Sequence, residues 1–415
     1  MRFFKYRAAA NLEFNMLRRG EIYFPSYGEL NDANECRPHF VLKGTDELWR
    51  RLSRFVLERV CFSSAFYREE RSHEIGDLLR LSEPIGRRLR KSAANRDVSI
   101  GEFRKSFLTA LAAVQRDKLH SVDWRLFTRL TAEVIDEQLP ATLREEQYMA
   151  SFSTDATNPT MWGHYGAAET GFVIIYETTN GAIDVHSPIE ILYGTRPAGG
   201  PIGVTEIGFY RDKSLKLHEV VYRRTPPKVN AFHRLIHKFS YSEEESHYDV
   251  PEQLFGDAST KKEGMIGLVK YSDWSYEGEV RAFFPSFGLV PPDVRVLQVS
   301  ARHMRGLIFG PKMSSADKAR AVLCCHLMFE SLAPQQAEIE EQCTFGFFQA
   351  CQVANRFAYD IAPIGMLDGS FFGRHLPVRE MRELDELSAA KLREMASILQ
   401  MARSSSRRPT GRAAS

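Results

Sequence analysis

The sequence predicts an α+β protein: a mixed or antiparallel sheet core, broken by a helical insertion and followed by a C-terminal helical extension. Three observations predict it. Strand-type patterns at 2–7, 21–25, 148–154 and 171–176 lie on both sides of a long stretch that lacks them. Within that stretch the apolar residues repeat at helical spacing, as in Leu48, Leu52, Phe55, Val56 and Val60. Strand and helix patterns then mix again up to about residue 330, ahead of a charged final segment. The division that follows is a core of 1–44 and 147–330, an insertion of 45–146 and an extension of 331–402. A Ser- and Arg-rich tail at 403–415 is expected to be disordered.

Each element has its own reason. Residues 2–7 are aromatic and alternating, so they read as a strand; Ala8–Arg19 follows as a helix stopped by Gly20. Glu21–Phe24 is a second short strand, leading into the polar loop Asn31–Glu35. In the insertion, Phe103, Phe107, Leu111 and Val114 mark a further helix, and Gly86–Lys91 a basic helix face. Tyr148–Ser153 is a strand, and Asn158-Pro159 opens a helix carrying Met161, Trp162, His164 and Tyr165, since proline suits a first helical position. The apolar run Gly171–Tyr176 suits a strand covered on both faces. Ile189–Tyr193 is another strand, while 199–248 shows no clear element. Lys261–Tyr271 reads as a helix, Trp274–Phe284 as one continuous strand, Val294–Val299 and Leu307–Phe309 as strands, and Ser314–Leu332 as an amphipathic helix. The extension holds one strand candidate and a charged helix, Glu380–Met401.

Composition narrows the classes. A net charge of +2 over 415 residues gives no global field for nucleic acid or membrane. No apolar run approaches the roughly 20 residues that span a bilayer. The start, Met1–Arg7, lacks a signal-peptide pattern, and the six cysteines form no CxxC pair, so a reduced cytoplasm is the expected compartment. There is no Gly-Lys-Ser/Thr loop and no GxGxxG, which argues against a kinase or a Rossmann enzyme.

The chemistry concentrates in a few places. Alternation along Trp274–Phe284 puts Glu277, Glu279 and Arg281 on one strand face, the two carboxylates roughly 7 Å apart. A solvated sheet face is the plain alternative. Ser151 and Ser153 share a face of the middle strand, and Tyr6-Arg7 ends the first. His164 and Tyr165 form a second candidate cluster, or pack with Trp162 on the sheet. Asp32, Glu35, Glu277 and Glu279 could surround a hard cation in a metal-dependent nuclease. His233 and His237 are spaced as half a zinc site, with an exposed helix face as the alternative, and no metal is expected.

Five segments together resemble the family catalogued as domain of unknown function 2971. They are Phe4-Lys5-Tyr6-Arg7; Leu30-Asn31-Asp32 with Glu35; Phe152-Ser153 with Met161–Tyr165 and Gly171; Trp274–Arg281; and Gly306–Lys312. The resemblance covers about 1–44 and 147–330, and departs at Ala33-Asn34, where the family usually has proline and an aromatic residue. More distantly, Arg7, Ser151-x-Ser153 and Glu277-x-Glu279 resemble in kind and order the signatures of arginine-serine-glutamate ADP-ribosyltransferases.

That second resemblance implies an ADP-ribosyltransferase-like core and an enzyme cleaving the nicotinamide–ribose bond of NAD, its substrate. It implies catalytic Glu279 and Glu277, with Arg7, Tyr6, Ser151, Ser153, His164 and Tyr165 binding NAD. Glu279 would stabilise an oxocarbenium-like centre, Glu277 would orient or deprotonate an acceptor, and Arg7 would fork onto a phosphate. Arg281 would keep Glu279 ionised. The acceptor is open: protein, nucleic acid, small molecule or water. No membrane partner is expected, and the insertion, through Arg87, Arg88 and Arg90, is the expected contact for a partner. A nucleotide- or protein-binding module without chemistry is the alternative.

Overall fold

A computed structural model describes residues 1–32, 34–66, 72–114, 122–143, 147–195, 206–235, 266–284, 290–332 and 345–367. Its strands begin with β1 (Arg2–Arg7), β2 (Glu21–Tyr23), β3 (His39–Leu42), β4 (Val98–Ser99), β5 (Met149–Ser153), β6 (Phe172–Glu177), β7 (Ala182–Thr195) and β8 (Glu206–Glu219). They continue as β9 (Val221–Arg223), β10 (Lys228–Asn230), β11 (Val269–Tyr271), β12 (Glu279–Phe283), β13 (Val296–Val299), β14 (Met304–Phe309), β15 (Phe345–Gln352) and β16 (Tyr359–Leu367). Eleven of them form one sheet, in the order β16-β15-β14-β6-β1-β5-β12-β8-β7-β13-β2. It is mixed: β14 and β15 run parallel and the other pairs antiparallel.

Alternation sorts the sheet into two faces. On one, Phe3, Phe152 and Tyr176 stack or meet edge-on at 5.0–5.6 Å, beneath the helices α1 (Asn11–Arg19) and, later in the chain, Ser315–Leu332. On the other, Phe4, Tyr6, Val173 and Ile175 pack against Met161 and Trp162 of the short helix Pro159–Tyr165. β6 is buried on both sides, as its unbroken apolar run requires. The half of the sheet from β5 to β2 curls until Pro25 accepts from the Met149 N–H (3.0 Å) and Ser26 bridges to Tyr148. Gly20 ends α1 in the left-handed region at φ 65°, accepting no side-chain penalty there.

A second core lies among the helices α2 (Asp46–Cys61), α3 (Ser72–Arg80), α4 (Ser82–Ala93), α5 (Ile100–Val114), α6 (Trp124–Glu133) and α7 (Leu139–Leu143). Trp49, Phe55, Phe103, Phe107 and Phe127 fill it, and Phe232 and Leu235 join it from later in the chain. A small sheet ties the unit to its surroundings, with β3 between β4 and β10.

Several sequence expectations change. The segment Trp274–Phe284 is not one strand: Ser272–Glu277 forms a 3-10 turn, Gly278 reverses it at φ 51°, and β12 begins at Glu279. Of the helix expected over 261–271, the described part is a single 3-10 turn followed by β11, which pairs with β9. Phe345–Gln352 and Tyr359–Leu367 are two strands that extend the sheet, where the sequence offers a single strand candidate in an otherwise helical extension. The Glu380–Met401 helix and the tail lie outside the described residues. β8, fourteen residues long, fills part of the stretch without a clear element.

Candidate functional site

β1 pairs with β6 along its length but with β5 only at Phe4–Ser153. A cavity of about 280 Å³ opens in that gap, lined by Phe4, Lys5 and Tyr6 of β1 and Ser151, Phe152 and Ser153 of β5. Leu30, Asn31, Glu35, Met161, Tyr165, Lys270, Glu277, Glu279 and Arg281 complete it.

Five buried charges form the floor. Arg281 forks onto Glu279, Nε to Oε1 at 2.7 Å and Nη2 to Oε2 at 2.9 Å, and Nη2 also reaches Glu35. Its Nη1 donates to the Gly267 carbonyl at 2.6 Å. Lys270 Nζ lies among three carboxylates, 2.5 Å from Glu277, 3.1 Å from Glu279 and 3.6 Å from Glu35. β11 delivers Lys270, β12 delivers Glu279 and Arg281, and the 3-10 turn delivers Glu277. Cys36, just after Glu35, sits in the left-handed region at φ 56°, an uncommon backbone for a non-glycine residue.

Hydroxyls surround these charges. The Tyr165 OH donates to Glu277 (2.5 Å) and accepts from the Asn31 amide (2.7 Å). Burial and the Glu277 carboxylate push the Tyr165 phenol well above its ordinary range. The Ser151 hydroxyl bonds Glu279, and the Tyr222 OH accepts from the Glu279 N–H at 2.8 Å. Ser153 donates to the Glu277 carbonyl (2.6 Å) and accepts from the Asp155 N–H (3.0 Å), bracing the turn against β5. Burial raises the Glu279 carboxyl above the usual range; Lys270 and Ser151 pull it back and Glu277 pushes it further up.

The structure brings Glu279, Glu277, Ser151, Ser153, Tyr6 and Tyr165 to this cavity and leaves two expected residues out. Arg7 points to the opposite face of the sheet from Tyr6, where Nη1 pairs with Glu13 of α1 at 2.9 Å. His164 is exposed at the rim, 3.0 Å from the Tyr276 hydroxyl through Nδ1, among the rings of Tyr165, Trp274 and Tyr276. Asp32 accepts from the Trp274 indole at 3.1 Å and is not among the residues lining the cavity. Glu35, Glu277 and Glu279 do converge, with the Lys270 ammonium in the position the nuclease reading gives a cation. Among the described residues no group of three or more His, Cys, Asp or Glu is arranged to hold a metal ion. His237 lies outside the described residues.

Lys270 and Lys5 were missed. A lone lysine inside an aromatic or β-branched strand, as in Phe3-Phe4-Lys5-Tyr6 and Val269-Lys270-Tyr271, was the available signal.

Part of the cluster lies in a segment that matches a known family model. Residues 161–282 match the family described as protein of unknown function (DUF2971). The DUF2971 match holds His164, Tyr165, Lys270, Glu277, Glu279 and Arg281, and stops short of β1, Glu35, Ser151 and Ser153. No curated protein and no solved structure matches the chain. No helix among the described residues is long and apolar enough to cross a membrane.

Proposed function

We propose that the protein cleaves the nicotinamide–ribose bond of NAD, as a glycohydrolase or an ADP-ribosyltransferase. The observation that carries this reading is the charge balance around Glu279. Three carboxylates (Glu35, Glu277, Glu279) pair with two cations (Lys270, Arg281) inside one cavity, one negative charge in excess among these five when all are ionised, and Lys5, the further amine on the cavity wall, makes no ion pair with them. NAD brings a positive pyridinium, and positive charge moves onto the ribose carbon as the bond breaks. Fixed negative charge in a water-poor site favours both states.

The volume agrees with a partial occupant. At about 280 Å³ the cavity is slightly below the roughly 300–1,000 Å³ of ordinary small-molecule sites, so it suits the nicotinamide–ribose end and not the whole dinucleotide. In this reading Glu279 faces the ribose, Ser151 orients it, and Glu277 with Tyr165 positions the acceptor. Arg7 has no part. Incubating the purified chain with NAD and separating the products should yield nicotinamide with ADP-ribose or a modified acceptor. Intact NAD with every acceptor class tried overturns the reading.

One observation favours a second reading. The carboxylate oxygens of Glu277 and Glu279 already have partners in Lys270, Arg281, Tyr165 and Ser151, as in a module that holds a cationic ligand without chemistry. Saturable NAD binding without turnover would select it.

A further inference from the structure

Lys5 has no place in the scheme above, yet it borders the same cavity. Its side chain enters the gap where β1 and β5 part company, and Nζ donates to the Ser151 carbonyl at 2.7 Å. The same nitrogen lies 5.3 Å from the centre of the Phe152 ring. Among the described residues no carboxylate lies within ion-pair distance of it, in contrast to Lys270 in the same cavity. Enclosure strips the ammonium of water, and one neutral carbonyl and an aromatic face compensate a charge there less than a carboxylate would.

We propose that Lys5 is a nucleophile of this cavity, an amine that condenses with the carbonyl carbon of an aldehyde or ketone ligand to form an imine. The neutral amine's lone pair forms the N–C bond. The carbonyl oxygen leaves as water with the two amine hydrogens, and the product is a C=N link from the ligand to Nζ. No oxidant or reductant is consumed. Reactive lysines of this kind are desolvated in apolar surroundings or set beside another cation, and Lys5 has both.

Burial is the main reason its ammonium form is disfavoured, and the nearby Arg7 acts in the same direction. Glu13 of α1 and Glu279 of β12 oppose them, and the outcome is a group pulled down to about 7. About half of the amine is then uncharged at neutral pH, against less than about one part in 10³ for an ordinary lysine. The inference does not rest on NAD as substrate, so either can fail alone.

The test uses the full chain, propanal as the carbonyl probe and cyanoborohydride to trap the imine. Short reactions across pH 6–10 are followed by peptide mass spectrometry of each lysine. Lys5 should be alkylated at pH 7 roughly tenfold faster or more than exposed Lys216 or Lys228, its lower basicity offsetting part of its larger neutral fraction. Its rate should level off above about pH 8, while those of the exposed lysines keep climbing. In Lys5→Arg, labelling at position 5 should vanish with the other sites unchanged. In Glu279→Gln, where an opposing negative charge is gone, the midpoint of Lys5 labelling should fall. Labelling of Lys5 no faster than Lys216, or still rising at pH 10, overturns the proposal, and so does a failure of the probe to reach Lys5 in folded protein.

Discussion

Arg281 has no exposed surface, and it stays charged there by forking onto Glu279 and reaching Glu35. Arg281→Met would leave those carboxylates facing only Lys270. Breaking a buried charge network from one side costs about 3–5 kcal/mol, which urea unfolding would read directly. A loss below about 1 kcal/mol would mean that the carboxylates find water or protons instead. Lys5 supplies a pH test with a definite sign. Its folded-state pKa, about 7, lies below the ordinary 10.5, so between those values the unfolded chain binds one proton more than the folded one. Stability should therefore rise with pH across about 7–10.5, relative to Lys5→Met, which lacks the group. An equal pH slope in the two proteins would contradict the placement of Lys5. Ser151, Ser153 and Glu279 were legible because each alternates with a buried apolar neighbour on a strand. Lys5 and Lys270 were not, because a single lysine in a short strand has the same pattern whether it meets water or carboxylates from distant segments.

The turn before β12 decides where Glu277 goes. Alternation assigned Glu277 and Glu279 to one strand face; in the structure they meet instead because Gly278, at φ 51°, turns the 3-10 segment back so that Glu277 faces Lys270. A Cβ at Gly278 would stand 2.6 Å from the Thr154 hydroxyl oxygen. Gly278→Ala should thus cost about 1–3 kcal/mol from backbone strain, with the clash adding to it. Thermal unfolding unchanged from wild type would show that the turn is not held in this conformation. Asn158 links two elements, accepting from the Thr160 N–H at the start of Pro159–Tyr165 and donating to the Tyr276 carbonyl at 3.1 Å. Asn158→Ala should cost about 1 kcal/mol as a lost cap. The Asn-Pro start of that helix was readable from residue type alone. The left-handed glycine was not, since glycine is compatible with either continuing or breaking a strand.

At the scale of the whole molecule, the sheet order explains why a site exists. β1, β5 and β12 are neighbours in the sheet although about 270 residues separate the first from the last, and the Glu35 loop and β11 close the cavity over them. Strand existence was visible in the hydrophobic alternation, whereas the pairing order was not, because pairing depends on contacts between segments that no local pattern encodes. The helical unit has its own core and displays Arg87 and Arg88 outward, while Arg90 is partly withdrawn toward Asp46. Charge reversal at Arg87 and Arg88 should lower modification of an acidic or nucleic-acid partner and leave nicotinamide release within about twofold, as expected of recognition surfaces remote from a site. Equal loss of both would place the helical unit in the catalytic machinery. Cleavage of the nicotinamide–ribose bond is tested most directly by the rate of nicotinamide release from NAD by wild type and by Glu279→Gln of matched stability. A preorganised charge at the reacting carbon predicts a fall of about 10²–10³ in that rate with NAD binding retained, and an undiminished rate in Glu279→Gln would contradict it.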